Sequence, residues 1–398
     1  MRTRTYRTAL LSTLLLAGCT PRETMPELTD RVFAVAAAQY EQLEGRLTDE
    51  TLPRSVASDG KFIPSNIRWW CSGFYPGSLW YIYEYTGDKT FRELAEKNTF
   101  KLYPLKQKGT DHDLGFQMNC SFGNAYRITG EQKSLEPIHT SARVLAGRFS
   151  PVTGVIRSWD FVRKGRDWKY PVIIDNMMNL ELMFKATEFS GDSTYYNIAV
   201  KHADRTMKEH FRDDYSCYHV VDYDLTTGDV RGRCTAQGYA DDSAWARGQA
   251  WAVYGYTACY RYTGDKRYLD HARKVAGFML DDKNMPADLV PYWDYDAPNI
   301  PNEPRDVSTA AIIASAFYEM YTYTGDGLYK QKADRIVESL SSPAYRAPVG
   351  GNGGFLLMHS VGSIPHGSNI DVPLNYADYY FLEALIRKGR LEAGEPLF

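Results

Sequence analysis

Apolar residues recur along this chain at helical spacing, and one short phrase repeatedly ends the run. The phrase is a bulky apolar residue, a hydroxyl residue, Gly and an acid. It occurs as Tyr85-Thr86-Gly87-Asp88, Ile128-Thr129-Gly130-Glu131, Phe189-Ser190-Gly191-Asp192, Tyr262-Thr263-Gly264-Asp265 and Tyr323-Thr324-Gly325-Asp326. Gly suits the left-handed position that closes many helices. The acid suits the first turn of a following helix, where the dipole favours negative charge. In four copies an aromatic stands four residues past the Gly (Phe91, Tyr195, Tyr268, Tyr329) and an Ala eight past it (Ala95, Ala199, Ala272, Ala333). Residues four apart share a helix face. The pattern predicts consecutive helical hairpins, with turn glycines 43, 61, 73 and 61 residues apart.

What precedes the phrase carries the functional signal. Seventeen residues before the turn Gly stand Trp70, Asp113, Arg247 and Ser308, and Asp175 stands sixteen before. At about 1.5 Å per residue each leading helix is roughly 25 Å long. These residues therefore share one level, the N-terminal end of each leading helix. If the hairpins close into a ring, that level is a single mouth and the place for an active site. A further helix without the phrase is expected from near Asp371 to near Gly389.

The first residues read differently. Arg2, Arg4 and Arg7 precede the apolar run Ala9–Leu16, and Leu16-Ala17-Gly18-Cys19 follows. This resembles a bacterial lipobox, so residues 1–18 are expected to be a signal peptide and Cys19 a lipidation site. Residues 19–30 read as a tether and 31–398 as one catalytic domain. The apolar run is shorter than the about 20 residues that span a bilayer. A lipid on Cys19 is thus the expected membrane contact, facing the periplasm, because no acidic run follows Cys19. A net charge of −3 argues against a nucleic-acid partner. The other five cysteines show neither zinc-type spacing nor an even count, so no disulfide framework is expected, and Cys259 reads as a core residue. A monomer or weak oligomer is expected.

Two carboxylates stand out at the mouth. Asp175 follows Val172-Ile173-Ile174 and precedes Met177-Met178. Such surroundings desolvate a carboxyl and raise its pKa, as a general acid requires. Asp113, in Asp111-His112-Asp113, reads as a helix-start residue and as a neighbouring charge that lifts Asp175 further. Two carboxyls in unlike surroundings divide acid and base roles. Arg247 lies between Trp245 and Trp251 and suits a sugar carboxylate; pairing with Asp241 or Asp242 is the plainer reading. Trp70, Trp245 and Trp251 near the mouth, and Trp159 in a loop leading to Asp175, offer faces for sugar rings; filling the mouth of the ring is the structural alternative. No phosphate loop, dinucleotide fingerprint or His-Glu-x-x-His is present, so neither cofactor nor metal is expected.

In order, Trp70-x-Ser-Gly-Phe-Tyr-Pro-Gly, His112-Asp113-Leu-Gly-Phe, Ile174-Asp175-Asn, Trp245-x-Arg-Gly-Gln-Ala-Trp251, Tyr292-Trp293-Asp294, Arg305-Asp306-x-Ser and Tyr376-Ala-Asp378-Tyr-Tyr resemble the unsaturated glucuronyl hydrolases, glycoside hydrolase family 88. The resemblance runs over roughly residues 30–390. It implies an (α/α)6 barrel, which agrees with the hairpins, and removal of a 4,5-unsaturated uronic acid from oligosaccharides that lyases produce. It implies Asp175 as acid/base and Asp113 as the second carboxylate. Trp70, Trp159, His219, Gln237, Arg247 and Trp251 match substrate-contacting positions. Tyr75 stands where such proteins often carry Trp, and the loop Ser363–Ser368 lacks a Lys found in members that grip a sulfated second sugar. Rival readings are an unsaturated rhamnogalacturonyl hydrolase, a sugar epimerase on the same barrel and a non-catalytic sugar-binding lipoprotein.

Overall fold

The computed structural model describes residues 24–161 and 163–398. Residues 1–18, read as a signal peptide, and Cys19 lie outside the described residues. Among the described residues there are twelve α-helices, with a π-helical segment before the fourth. The first element among the described residues is α1 (Met25–Glu44), so residues 25–30, read as part of a tether, are helical. Thr24 caps that helix and Glu27 bonds back to the cap, which is why the helix starts there.

Six helices form an inner ring. They are α2 (Phe74–Thr86), the π-helical segment Gly115–Gly123 continuing into α4 (Asn124–Thr129), α6 (Asn176–Ser190), α8 (Ala246–Thr263), α10 (Val307–Thr324) and α12 (Asn375–Ala393). Each packs on the next, and α12 returns to α2, so the ring is closed. The outer partners are α1, α3 (Lys89–Lys101), α5 (Leu135–Ala146), α7 (Ser193–Glu209), α9 (Lys266–Asp281) and α11 (Gly327–Ser341). This is the expected (α/α)6 barrel.

The five turn glycines are all left-handed, with φ between 65 and 72°. A side chain there would be strained even where space is open. Asp88, Asp192, Asp265 and Asp326 each accept a hydrogen bond from a backbone N–H two residues on, so the acid caps the second helix rather than sitting in its first turn. Ala95, Ala199, Ala272 and Ala333 are fully buried, which lets each outer helix approach its inner partner.

The last inner helix corrects one boundary. It runs Asn375–Ala393 and ends at left-handed Gly394, not near Gly389. Asp371 lies in the antiparallel pair formed by Ser360–Ser363 and Ser368–Val372, and Pro373 bars earlier helix. The missing sixth phrase has a topological reason: the outer helix beside α12 is α1, from the other end of the chain. Tyr75 is core, donating to Glu44 at 2.9 Å. Cys71, Cys120, Cys217, Cys234 and Cys259 are free and buried.

Candidate active site

At the N-terminal ends of the inner helices lies a cavity of about 790 Å³. Trp70, Asp113, Trp159, Asp175, Gln237, Arg247 and Tyr376 line it. The spacing argument thus holds: residues read from separate repeats meet at one mouth. Ser308 is the exception, held below it by the Asp306 carboxylate that caps α10.

Asp175 stands at the start of α6, but its side chain makes no capping bond. Capping does not account for it. Its carboxyl is 10% exposed, and Oδ2 lies 3.5 Å from His219 Nε2. Asp113 precedes the π-helical segment; its carboxyl is 13% exposed, and Oδ1 lies 3.4 Å from His112 Nε2. The expected pKa order is reversed. Burial would raise Asp175, but the His219 donor, then His112 and Arg247, outweigh it and hold the carboxyl below the usual range. Burial, with Asp111 and Asp175 adding negative charge against Lys108, pushes Asp113 well above that range. Of the two, Asp113 is therefore the carboxyl that holds a proton more readily and Asp175 the one that stays ionised. Local hydrophobicity misled the sequence reading, because the groups that set Asp175 come from distant segments.

Arg247 is paired, though not with Asp241 or Asp242. Its guanidinium is 1% exposed and lies 2.8 Å from the fully buried Asp306. It also donates to the carbonyls of Val361 and Gly362, the latter at 2.7 Å. Trp245 and Tyr376 flank it at 4.5 and 5.4 Å. Asp241 binds Arg166 instead. Arg247 thus clamps the strand Ser360–Ser363 to the mouth, and Gln237 joins it, donating to Gly362 at 3.1 Å.

Trp70 forms one cavity wall, packed on Phe74, Phe116 and Tyr376. Trp159 forms another, stacked on exposed Phe161 at 5.4 Å. Two expected contacts are not on the wall. Trp251, one turn below Arg247, is fully buried against Phe116 and Tyr380 and supports the floor. His219 stands behind Asp175, and Trp245 is buried beside it at 4.5 Å. The sequence reading gave no site role to Tyr376, Asp306 or His112, nor to the rim cations Arg54, Arg68 and Arg163. Asp306 and Tyr376 do carry a signal: like the other mouth residues, they stand at the start of inner helices.

A closed six-hairpin barrel with two carboxyls and aromatic walls at one mouth is the layout of a carbohydrate-active protein. The profile of Glycosyl Hydrolase Family 88 matches residues 45–258. The chain belongs to this family and is a glycosidase. It is 44% identical over 365 residues to an unsaturated glucuronyl hydrolase of Formosa agariphila, covering 89% of this chain and 90% of that protein. It is 33% identical to an unsaturated chondroitin disaccharide hydrolase of Streptococcus pneumoniae, covering 85% and 86%. The crystal structure of an unsaturated glucuronyl hydrolase specific for heparin superposes with a TM-score of 0.90 at 44% identity, covering 92% of this chain and 98% of that one.

Proposed function

We propose that this protein is an unsaturated glucuronyl hydrolase that hydrates the C4=C5 enol ether of an unsaturated uronic acid at the non-reducing end of lyase-generated oligosaccharides. The observation that carries the reading is the pair Asp113 and Asp175. They share one aromatic-walled cavity, and their surroundings push the two carboxyls in opposite directions, Asp113 up and Asp175 down. The named activities of the relatives support it.

The chemistry follows from the substrate. A bound uronate brings negative charge beside Asp175 and displaces water, and both raise a carboxyl pKa. Asp175 then takes up the proton and delivers it to C4. Positive charge develops at C5 and the ring oxygen. Water adds at C5 and returns its proton to the Asp175 carboxylate. The resulting hemiketal opens to a C5 ketone and a C1 hemiacetal, and the hemiacetal collapses to an aldehyde, breaking the C1–O bond and releasing the neighbouring sugar. The glycosidic oxygen keeps its bond to the released sugar, so no nucleophile attacks the anomeric carbon, unlike a two-carboxylate glycosidase. Trp70 and Trp159 are the walls against which the ring rests.

The test is incubation with lyase-generated disaccharides in isotopically labelled water. The conjugated ultraviolet absorbance should fall, and the label should appear on C5 of the product. Cleavage of saturated glucuronides at a comparable rate would overturn the reading in favour of an ordinary glycosidase.

Asp113→Asn is expected to cost about 10²-fold in kcat/KM, within the range of acid–base contributions. The sign of its pH effect is fixed. In the parent protein, Asp113 keeps the pair singly protonated up to its raised pKa. In the variant, the remaining proton belongs to Asp175, whose carboxyl sits low in the free protein. The basic limb of kcat/KM should therefore move to lower pH. An unmoved limb would show that the two carboxyls do not share a proton.

A further inference from the structure

The two carboxyls are backed by the same device. The His219 imidazole accepts two backbone hydrogen bonds at Nδ1, from Ala236 and Gln237, each 3.1 Å. A neutral imidazole so engaged carries its proton on Nε2, the atom facing Asp175. His112 is arranged alike, through a side chain. Asn179, fully buried, accepts the Phe116 N–H at its Oδ1, 3.0 Å away. That spends the amide's acceptor and turns its NH2 to His112, with Nδ2 3.4 Å from His112 Nδ1. Nδ1 is thereby the acceptor, and the proton lies on Nε2, which faces Asp113 Oδ1 at 3.4 Å.

The packing enforces this. His112 is fully buried, and its backbone N–H is tied to the Ser158 carbonyl at 3.1 Å. A side chain at Gly115 would collide with Asn179 Cα and Oδ1, both 2.4 Å away, so Gly115 is what lets Asn179 reach in. Burial holds His112 at about 4 against the pull of Asp175 and Asp111, so the imidazole is neutral where the protein works. Arg148 opposes protonation as well, and Asn176 is the other polar neighbour of the ring.

We propose that His112, locked by Asn179 as its Nε2–H tautomer, is a positioning residue that turns Asp113 Oδ1 into the protein and leaves Oδ2 for the cavity. When Asp113 is protonated, its O–H cannot sit on the oxygen that already faces a donor. The proton is therefore on Oδ2, where the Asp111 carboxylate, which also lines the cavity, is the protein group able to share it with a bound sugar. The catalytic consequence rests on the hydrolase reading above; the tautomer does not.

The test has two arms. In 15N-histidine-labelled protein, the resonance lost in His112→Gln should report a neutral ring protonated at Nε2. A ring protonated at Nδ1, or a charged one, overturns the proposal whatever the substrate. For activity, His112→Leu should lower kcat about 10²-fold, the scale of a misplaced catalytic group, with KM changed less than about threefold. Loss of the donor raises the Asp113 pKa, so the basic limb should move to higher pH, opposite to Asp113→Asn. His112→Gln, whose amide can still donate, should recover to within about tenfold of the parent. Should His112→Leu fail to fold, near-isosteric Asn179→Asp decides. Its carboxylate draws the ring proton to Nδ1, so the labelled ring should switch tautomer and kcat should fall as in the leucine variant. An unswitched ring, or a parent-like kcat with a switched one, overturns the role. A parent protein inert on every unsaturated disaccharide would refute the hydrolase reading while leaving the tautomer arm intact.

Discussion

Asp175→Asn is expected to remove turnover almost completely, by about 10³-fold or more, while leaving the fold and substrate binding in place. General acid–base groups contribute typically 10²–10⁴-fold, and here one carboxyl serves both halves of the reaction, protonating C4 and then accepting the proton of water. An amide can do neither. The fold should tolerate the change because the Asp175 side chain caps no helix and makes no ion pair among the described residues other than the 3.5 Å contact with His219. The Nε2–H of His219 still finds an oxygen in the amide. Binding should persist, since Trp70, Trp159 and Gln237 are untouched. Steady-state rates on unsaturated disaccharides, with equilibrium binding of the same sugars to the variant, check this. Parent-like turnover would remove Asp175 from the chemistry. Lost binding with an unfolded spectrum would assign it to structure instead.

Arg247→Met should be the most damaging change to stability at the mouth. The guanidinium is fully enclosed with Asp306, whose Oδ1 accepts from Ser308 N–H and hydroxyl at 3.1 and 2.6 Å and from Val361 N–H at 3.3 Å. Removing one partner of a buried pair leaves an uncompensated charge and costs about 3–5 kcal/mol. The methionine keeps most of the volume, so little of the loss is a cavity effect. It also releases the carbonyls of Val361 and Gly362, freeing the strand Ser360–Ser363 that closes one side of the site. Activity should fall with stability, and saturating substrate should restore only part of it. A shift in the denaturant midpoint, converted at constant m, measures the effect. A loss below about 1 kcal/mol would mean that water reaches Asp306 and the pair is not sealed.

These two expectations concern residues that the sequence placed together, though not for the right reasons in each case. The placement rested on a period. Five copies of one turn phrase fix helix ends, so counting back one helix length finds the opposite level of the barrel. That step needs only local chemistry: a left-handed Gly, an acid that can cap, and an Ala that permits close packing. Trp70, Asp113, Asp175 and Arg247 were all reached that way. Trp159 and Gln237 came from loops between repeats: Trp159 was singled out as a face for a sugar ring, and Gln237 only by resemblance to family 88 proteins, and both line the cavity.

Partnership was not legible in the same way. Asp306 lies 59 residues from Arg247, and nothing near either names the other. Trp251 shares a helix face with Arg247, yet a single turn is enough to carry it from wall to floor. Helical spacing gives direction but not how deep the cavity reaches. The protonation of the two carboxyls was beyond the sequence for a sharper reason. Val172, Ile173 and Ile174 do bury Asp175, as read. A pKa is set by every charge and donor within a few ångströms, and His219, His112 and Arg247 arrive from three other segments to reverse the sign. The sequence by itself determined the repeats, the ring they build and the level at which chemistry occurs, because those depend on contacts between near neighbours in the chain. Which carboxyl holds the proton, what neutralises Arg247 and which nitrogen of His112 is protonated were decided only when the barrel closed, because each is a through-space balance among groups that only the closed ring brings together.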